Sequence, residues 1–201
     1  MQPMLDEIRK FAGTNEMVIN SSKTKLMVFN KSQKYDFMPE FSISANNEPI
    51  EVVEQMKLLG LTIDSDLTWH SQVKNMCRKA YCRIWMISRL KKLGASDKML
   101  IDLYQKHVRS VVEYATPVWN SGLTQSDINE IERIQKTALS VIFNENSYTK
   151  KLEMSNLEKL RERRDVMCQK FAIKTVKNPR FADWFVKKQN PKKYKTEKHV
   201  L

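Results

Sequence analysis

The chain has 201 residues, 41% hydrophobic and 29% charged, with a net charge of +12. That length allows one domain or two small ones around a real core. Four Gly and six Pro favour long helices and exclude a collagen-like chain or a β-sandwich.

Residues 3–12 predict a helix, with Met4 or Leu5, Ile8 and Phe11 or Ala12 on one face and Gly13 as its C-cap. No apolar run approaches the ~20 residues of a membrane span. The N-terminal stretch carries Asp6 and Glu7 where a signal peptide has its apolar core. The expectation is an intracellular protein, nuclear or cytoplasmic, neither secreted nor membrane-bound. MVIN and TKLMVFN then predict two strands around an SSK turn. Phe41, Ile43 and Ala45 alternate as a strand does, and Asn46-Asn47 signals a turn. EVVEQMKLLGLTI ends in a continuous apolar run that predicts a central strand.

After Asp64 and Asp66 the character changes. Trp69, Val73, Met76, Ala80, Ile84, Ile87 and Leu90 recur at three- and four-residue steps, which predicts an amphipathic helix of about seven turns. Asp66 or Thr68 is its expected N-cap and Gly94 its close. Ser96 is expected to cap a second helix with Leu100, Leu103, His107, Val111 and Ala115 on its apolar face, limited or kinked by Pro117. Thr124 with Asp127 predicts a capping box and a third helix through Ile128, Ile131, Ile134, Ala138 and Val141. Ser155 with Glu158 predicts another box, opening a fourth helix that runs to Asn178. The Lys-rich residues 179–201 read as a loose tail.

Three Cys, with neither a CxxC nor a HxxxH pattern, exclude a disulfide framework and a typical zinc site. Asp64 and Asp66 are the tempting metal pair, because two-metal nucleotidyl transfer needs bridging carboxylates. At a strand-to-helix junction the structural reading is stronger: Asx side chains satisfy free N–H groups, and Trp69 is the first anchor of the helix on the sheet. No metal site is assigned. The charge is unevenly spread. Residues 1–66 carry 7 basic and 10 acidic side chains, whereas residues 67–96 carry 7 basic and none acidic. Such asymmetry fits a polyanion held by the later part of the chain. Lys74, Arg78, Lys79, Arg83 and Arg89 crowd one helix at a cost of a few tenths of a kcal/mol per like-charged pair, which bound phosphates would offset.

The stretch MVINSSKTKLMVF, then MKLLGLTIDSDLTWHSQV, then VRSVVEYATPVWNSGLTQSDINEIERIQKTALSVIF together resemble the reverse transcriptases of non-LTR (LINE-like) retrotransposons of the jockey and CR1 kind. The resemblance covers about residues 1–180. It implies an α+β fold, in which the small, partial antiparallel sheet of a polymerase palm occupies the first third and an α-helical thumb bundle follows. The implied divisions are 1–66 (end of the palm, with its primer grip), 67–178 (thumb) and 179–201 (basic tail). It implies an RNA–DNA or RNA template–primer duplex as partner. Lys23 is then either a contact on the phosphate side of the incoming nucleotide or a solvated turn lysine. Gly60 either lets a sugar–phosphate chain approach the backbone or serves a bulge or helix contact. Lys74, Arg78, Lys79, Arg83 and Arg89 become duplex contacts. The family's metal-binding Asp-Asp hairpin has no counterpart, since no two Asp are adjacent in these residues. The expectation is a palm-plus-thumb fragment without catalytic residues or a cofactor of its own. The fingers and upstream palm of the parent polymerase would be missing partners, and Mg²⁺ would belong to that parent. The alternatives are a host-retained helical module that binds proteins, or a degenerate open reading frame.

Overall fold

The computed structural model describes residues 2–29, 43–45 and 48–184. Helix α1 (Gln2–Thr14) precedes six short strands. These are β1 (Lys25–Leu26), β2 (Ser44–Ala45), β3 (Glu48–Pro49), β4 (Glu51–Val52), β5 (Gln55–Leu58) and β6 (Leu61–Asp64). The helices that follow are α2 (His70–Lys92), α3 (Asp97–Leu103), α4 (Ser110–Val112), α5 (Thr116–Trp119), α6 (Gln125–Ile142), α7 (Tyr148–Ser155) and α8 (Leu160–Val176). The class is α+β, with helix predominant.

The strands form three separate pairs. β1 runs parallel to β4, whereas β2–β3 and β5–β6 are antiparallel. Among the described residues there is thus no single antiparallel sheet. Met17–Asn20 forms no strand, and only Lys25–Leu26 of the second predicted strand joins a ladder. Phe41 and the Asn46-Asn47 turn lie outside the described residues. α1 runs through Gly13 to Thr14, so Gly13 does not cap it. Of its expected apolar face Ala12 is buried, while Met4, Ile8 and Phe11 are exposed.

The expected central strand is a hairpin instead. Leu59 (φ 48°) and Gly60 (φ 87°) link β5 to β6, and two consecutive positive φ values mark a type I′ turn. The apolar run MKLLGLTI hides this turn, because Leu59 tolerates the left-handed region less readily than the Asn or Gly usual there. The cost shows in exposure: Leu59 is 84% accessible, whereas Leu61 on the returning strand is buried.

α2 follows its predicted stripe. Val73, Met76, Ala80, Ile84 and Ile87 are buried, with Trp69 and Leu90 partly so. They pack chiefly on Ile131, Ile134, Ala138 and Leu139 of α6. Neither Asp66 nor Thr68 caps α2; Trp69 holds the N-cap position with φ 62° and no side-chain cap. Asp64 is drawn away by its strand, because its Oδ1 accepts a hydrogen bond from Gln55 Nε2 at 3.0 Å across the hairpin. Asp66 Oδ1 reaches only the N–H of Thr68, at 3.4 Å. Trp69 packs against the core that includes Leu61 of β6, and its ring also lies against the turn at Gly122, where a Cβ would come within 2.7 Å of it. Gly94 (φ 84°) closes α2 as predicted. Its N–H donates to Lys91 O and that of Ala95 to Leu90 O, the two bonds of a Schellman motif.

Ser96 caps α3 as expected, its hydroxyl accepting from Met99 N. Of the predicted face Leu100 is buried and Leu103, Val111 and Ala115 pack against the core, but His107 leaves it, because Tyr104–Arg109 is π-helical. The wider turn moves the stripe, so Leu100, Tyr104, Val108 and Val112 are buried and His107 is exposed. The Thr124–Asp127 capping box opens α6 as predicted. The Ser155–Glu158 box does not form. Ser155 ends α7, a helix the sequence reading missed, and Asn156 (φ 52°) turns the chain. α8 begins at Leu160 with no cap of its own. Glu132 of α6 supplies one, accepting from Leu160 N at 3.3 Å and Arg161 N at 3.1 Å.

Candidate nucleic-acid interface

The β5–β6 hairpin lies against one flank of α2 and is tied there by three polar contacts. Gln72 Oε1, buried, accepts from Thr62 N at 2.9 Å. Asn75 Nδ2 donates to Thr62 Oγ1 at 3.1 Å. Tyr114 Oη, beyond α4, donates to Leu59 O at 2.8 Å, and its own carbonyl accepts from Trp119 Nε1 at 2.9 Å. The turn is thus held from both sides, and a Cβ on Gly60 would come within 3.5 Å of the Tyr114 ring, an ordinary contact distance.

Between these elements runs an open groove of about 440 Å³. Lys57 of β5 and Arg78, Lys79 and Arg83 of α2 line it, with Gly60 and Tyr114 at its hairpin end. No carboxylate lines it. Arg83 Nη1 donates to the backbone carbonyl of His107, in the π-helical turn, which fixes its guanidinium beside the groove. Among the described residues Lys57, Lys74, Arg78 and Lys79 make no ion pair. Unpaired cations around a concave, carboxylate-free surface concentrate positive potential, the arrangement that draws phosphate oxygens.

Of the residues singled out by sequence, Gly60, Arg78, Lys79 and Arg83 come together here. Lys74 and Arg89 belong to the exposed length of α2, outside the groove lining. Lys23 closes a 3₁₀ turn, its N–H bonded to Asn20 Oδ1 at 3.1 Å, and does not line the groove. A turn requirement accounts for Gly60, whatever else approaches it. Sequence reasoning missed Lys57 and Tyr114. Lys57 was submerged in an apolar run, and the hairpin that would have revealed it was read as one strand.

Asp64 is buried and serves as acceptor for Gln55 and, at 3.4 Å, for the Thr68 hydroxyl. Among the described residues no three His, Cys, Asp or Glu side chains gather as metal ligands would. No described helix is long and apolar enough to cross a membrane. Comparison with protein-family models, with curated proteins and with solved structures finds no match.

Proposed function

We propose that this chain is the palm-end and thumb portion of an RNA-directed DNA polymerase of the non-LTR retrotransposon kind, and that it grips the template–primer duplex without itself catalysing nucleotide transfer. The observation that carries the reading is the carboxylate-free groove where Lys57, Arg78, Lys79 and Arg83 converge. A duplex presents rows of phosphates that such a groove can neutralise one by one. No nucleotide transfer is expected of these 201 residues, which contain no adjacent aspartates of the metal-binding kind.

The test is fluorescence anisotropy with an RNA–DNA hybrid over a range of salt. Each phosphate contact adds about 0.9 to the slope of log affinity against log salt. Changing Lys57, Arg78 and Lys79 together to Gln is expected to weaken binding uniformly across sequences and to flatten that slope by roughly two to three. Arg83 is spared because its bond to His107 O also supports the fold. An unchanged slope in a folded triple variant would remove the groove from the interface. A second reading, a helical protein-binding module, draws on the exposed Met4, Ile8 and Phe11 of α1. It expects no salt-dependent duplex binding at all.

A further inference from the structure

We infer that the outward face of α2 is a stacking platform for an unpaired nucleic-acid strand, with bases on Trp85 and Tyr81 and phosphates on the cations on either side of them. The inference rests on the polyanion reading above, but it concerns the outward face of the helix, which meets the groove at Arg78, and a different ligand class.

Lys74, Arg78, Tyr81, Trp85, Arg89 and Lys92 follow one another at steps of four, three, four, four and three. At 3.6 residues per turn those steps place all six on one face, along roughly 27 Å of helix. The buried stripe through Val73, Ala80, Ile84 and Ile87 occupies the opposite side. Trp85 is 63% accessible and Tyr81 38%. The Arg89 guanidinium lies 5.4 Å from the Trp85 ring centre, within the range of a cation–π contact. That contact steadies the ring while most of its surface stays open to solvent. No acidic side chain occurs in residues 67–96, and Lys74, Arg78 and Lys92 make no ion pair among the described residues.

A single exposed ring needs no explanation. Two adjacent rings one helical turn apart, flanked on both sides by cations, offer what a single strand needs: faces for consecutive bases, and charge for the phosphates on either side of them. Base-on-aromatic stacking tolerates any sequence, because every base has a π-face. A duplex keeps its bases stacked on each other and could use only the cations. An acidic peptide could use the cations too but would leave the rings without a stacking partner. The surface therefore fits an unpaired strand best.

The experiment is anisotropy with a short labelled oligothymidylate, run beside the RNA–DNA hybrid and polyglutamate. Trp85→Ala is expected to weaken oligothymidylate binding roughly five- to one-hundred-and-fifty-fold. The salt slope is expected to stay unchanged, since no phosphate contact is lost. Hybrid binding should also be unaffected, and Trp85→Phe should restore most of the loss. Because Trp85 is largely exposed, its variants should melt with wild type by circular dichroism. Equal oligothymidylate affinity for wild type and Trp85→Ala, with hybrid binding intact, overturns this inference alone. Oligothymidylate binding lost in Trp85→Ala, without any hybrid binding, supports it and overturns the groove reading. Failure to bind either nucleic acid overturns both. Polyglutamate binding that falls as steeply in Trp85→Ala would assign the face to a protein partner and overturn it as well.

Discussion

At Asp127, burial opposes ionisation while hydrogen bonds favour it. The side chain is 1% accessible. Against that burial stand bonds from the Thr124 hydroxyl, the His70 ring at 2.9 Å and the Thr124 N–H at 3.1 Å. The bonds win, and the carboxyl is held below its ordinary value of 3.8. The folded state therefore prefers the ionised form, and this contribution to stability is complete above the unfolded value. It is lost as pH falls through the lowered folded one. Asp127→Asn keeps an acceptor but removes the charge. In urea titrations it is expected to cost about 1 kcal/mol at neutral pH. The gap to wild type should close as pH drops below about 4, and a gap independent of pH would contradict this account. Cys77 shows the other balance. Burial, then the Glu130 and Asp127 carboxylates, push its thiol up to about 12, so it behaves as a small core side chain while Cys82 lies exposed. The capping box at Asp127 was legible because its two members are three residues apart. The His70 contact was not, since 57 positions separate the pair.

At the scale of elements, the π-helical turn, α6, α7 and the link before α8 meet through a polar chain whose Tyr104–Gln135 end is fully buried. Tyr104 Oη donates to Gln135 Oε1 at 2.7 Å. Gln135 Nε2 donates to Tyr148 Oη at 3.0 Å and to Glu158 O at 2.8 Å. Tyr148 Oη donates to Glu132 at 2.5 Å. Burial drives the Tyr104 hydroxyl well above its usual value, so it stays a donor at any working pH. Gln135→Leu strands that hydroxyl and the Glu158 carbonyl, and is expected to cost about 1–3 kcal/mol. Tyr104→Phe should cost much less in the Gln135→Leu background than in wild type, a coupling of roughly 0.5–3 kcal/mol in a double-mutant cycle by urea unfolding. Strict additivity would mean the bond contributes nothing. The stripes of α2 and α6 were legible because helical periodicity is local. The π-helical turn, the start of α8 and the hairpin at Leu59–Gly60 depend on partners far along the chain, and local signals misled there. Half the groove shared that fate: its α2 cations declared themselves by charge, its hairpin wall did not.

Across the whole molecule the core is uneven. The main cluster of buried side chains runs from Leu61 to Leu160. Before Leu61, the buried hydrophobic residues among those described are Ala12 and Ile43, and β1 to β4 are two residues each. Local opening free energy follows such burial. Hydrogen exchange is therefore expected to show amides of α2, α6 and the β5–β6 hairpin protected together, with α1 and residues 17–29 exchanging far sooner. Uniform protection would show that the two parts open as one. The cap on α8 has a consequence during synthesis. Its acceptor, Glu132, precedes Leu160 by 28 residues, and a helix within a protein draws most of its stability from packing on its neighbours. A ribosome adding about 5–20 residues per second releases α6 before α8 is complete. The last long helix is thus born onto a surface that already holds the carboxylate for its first turn, and a chain whose α6 is disrupted leaves it no cap to begin on.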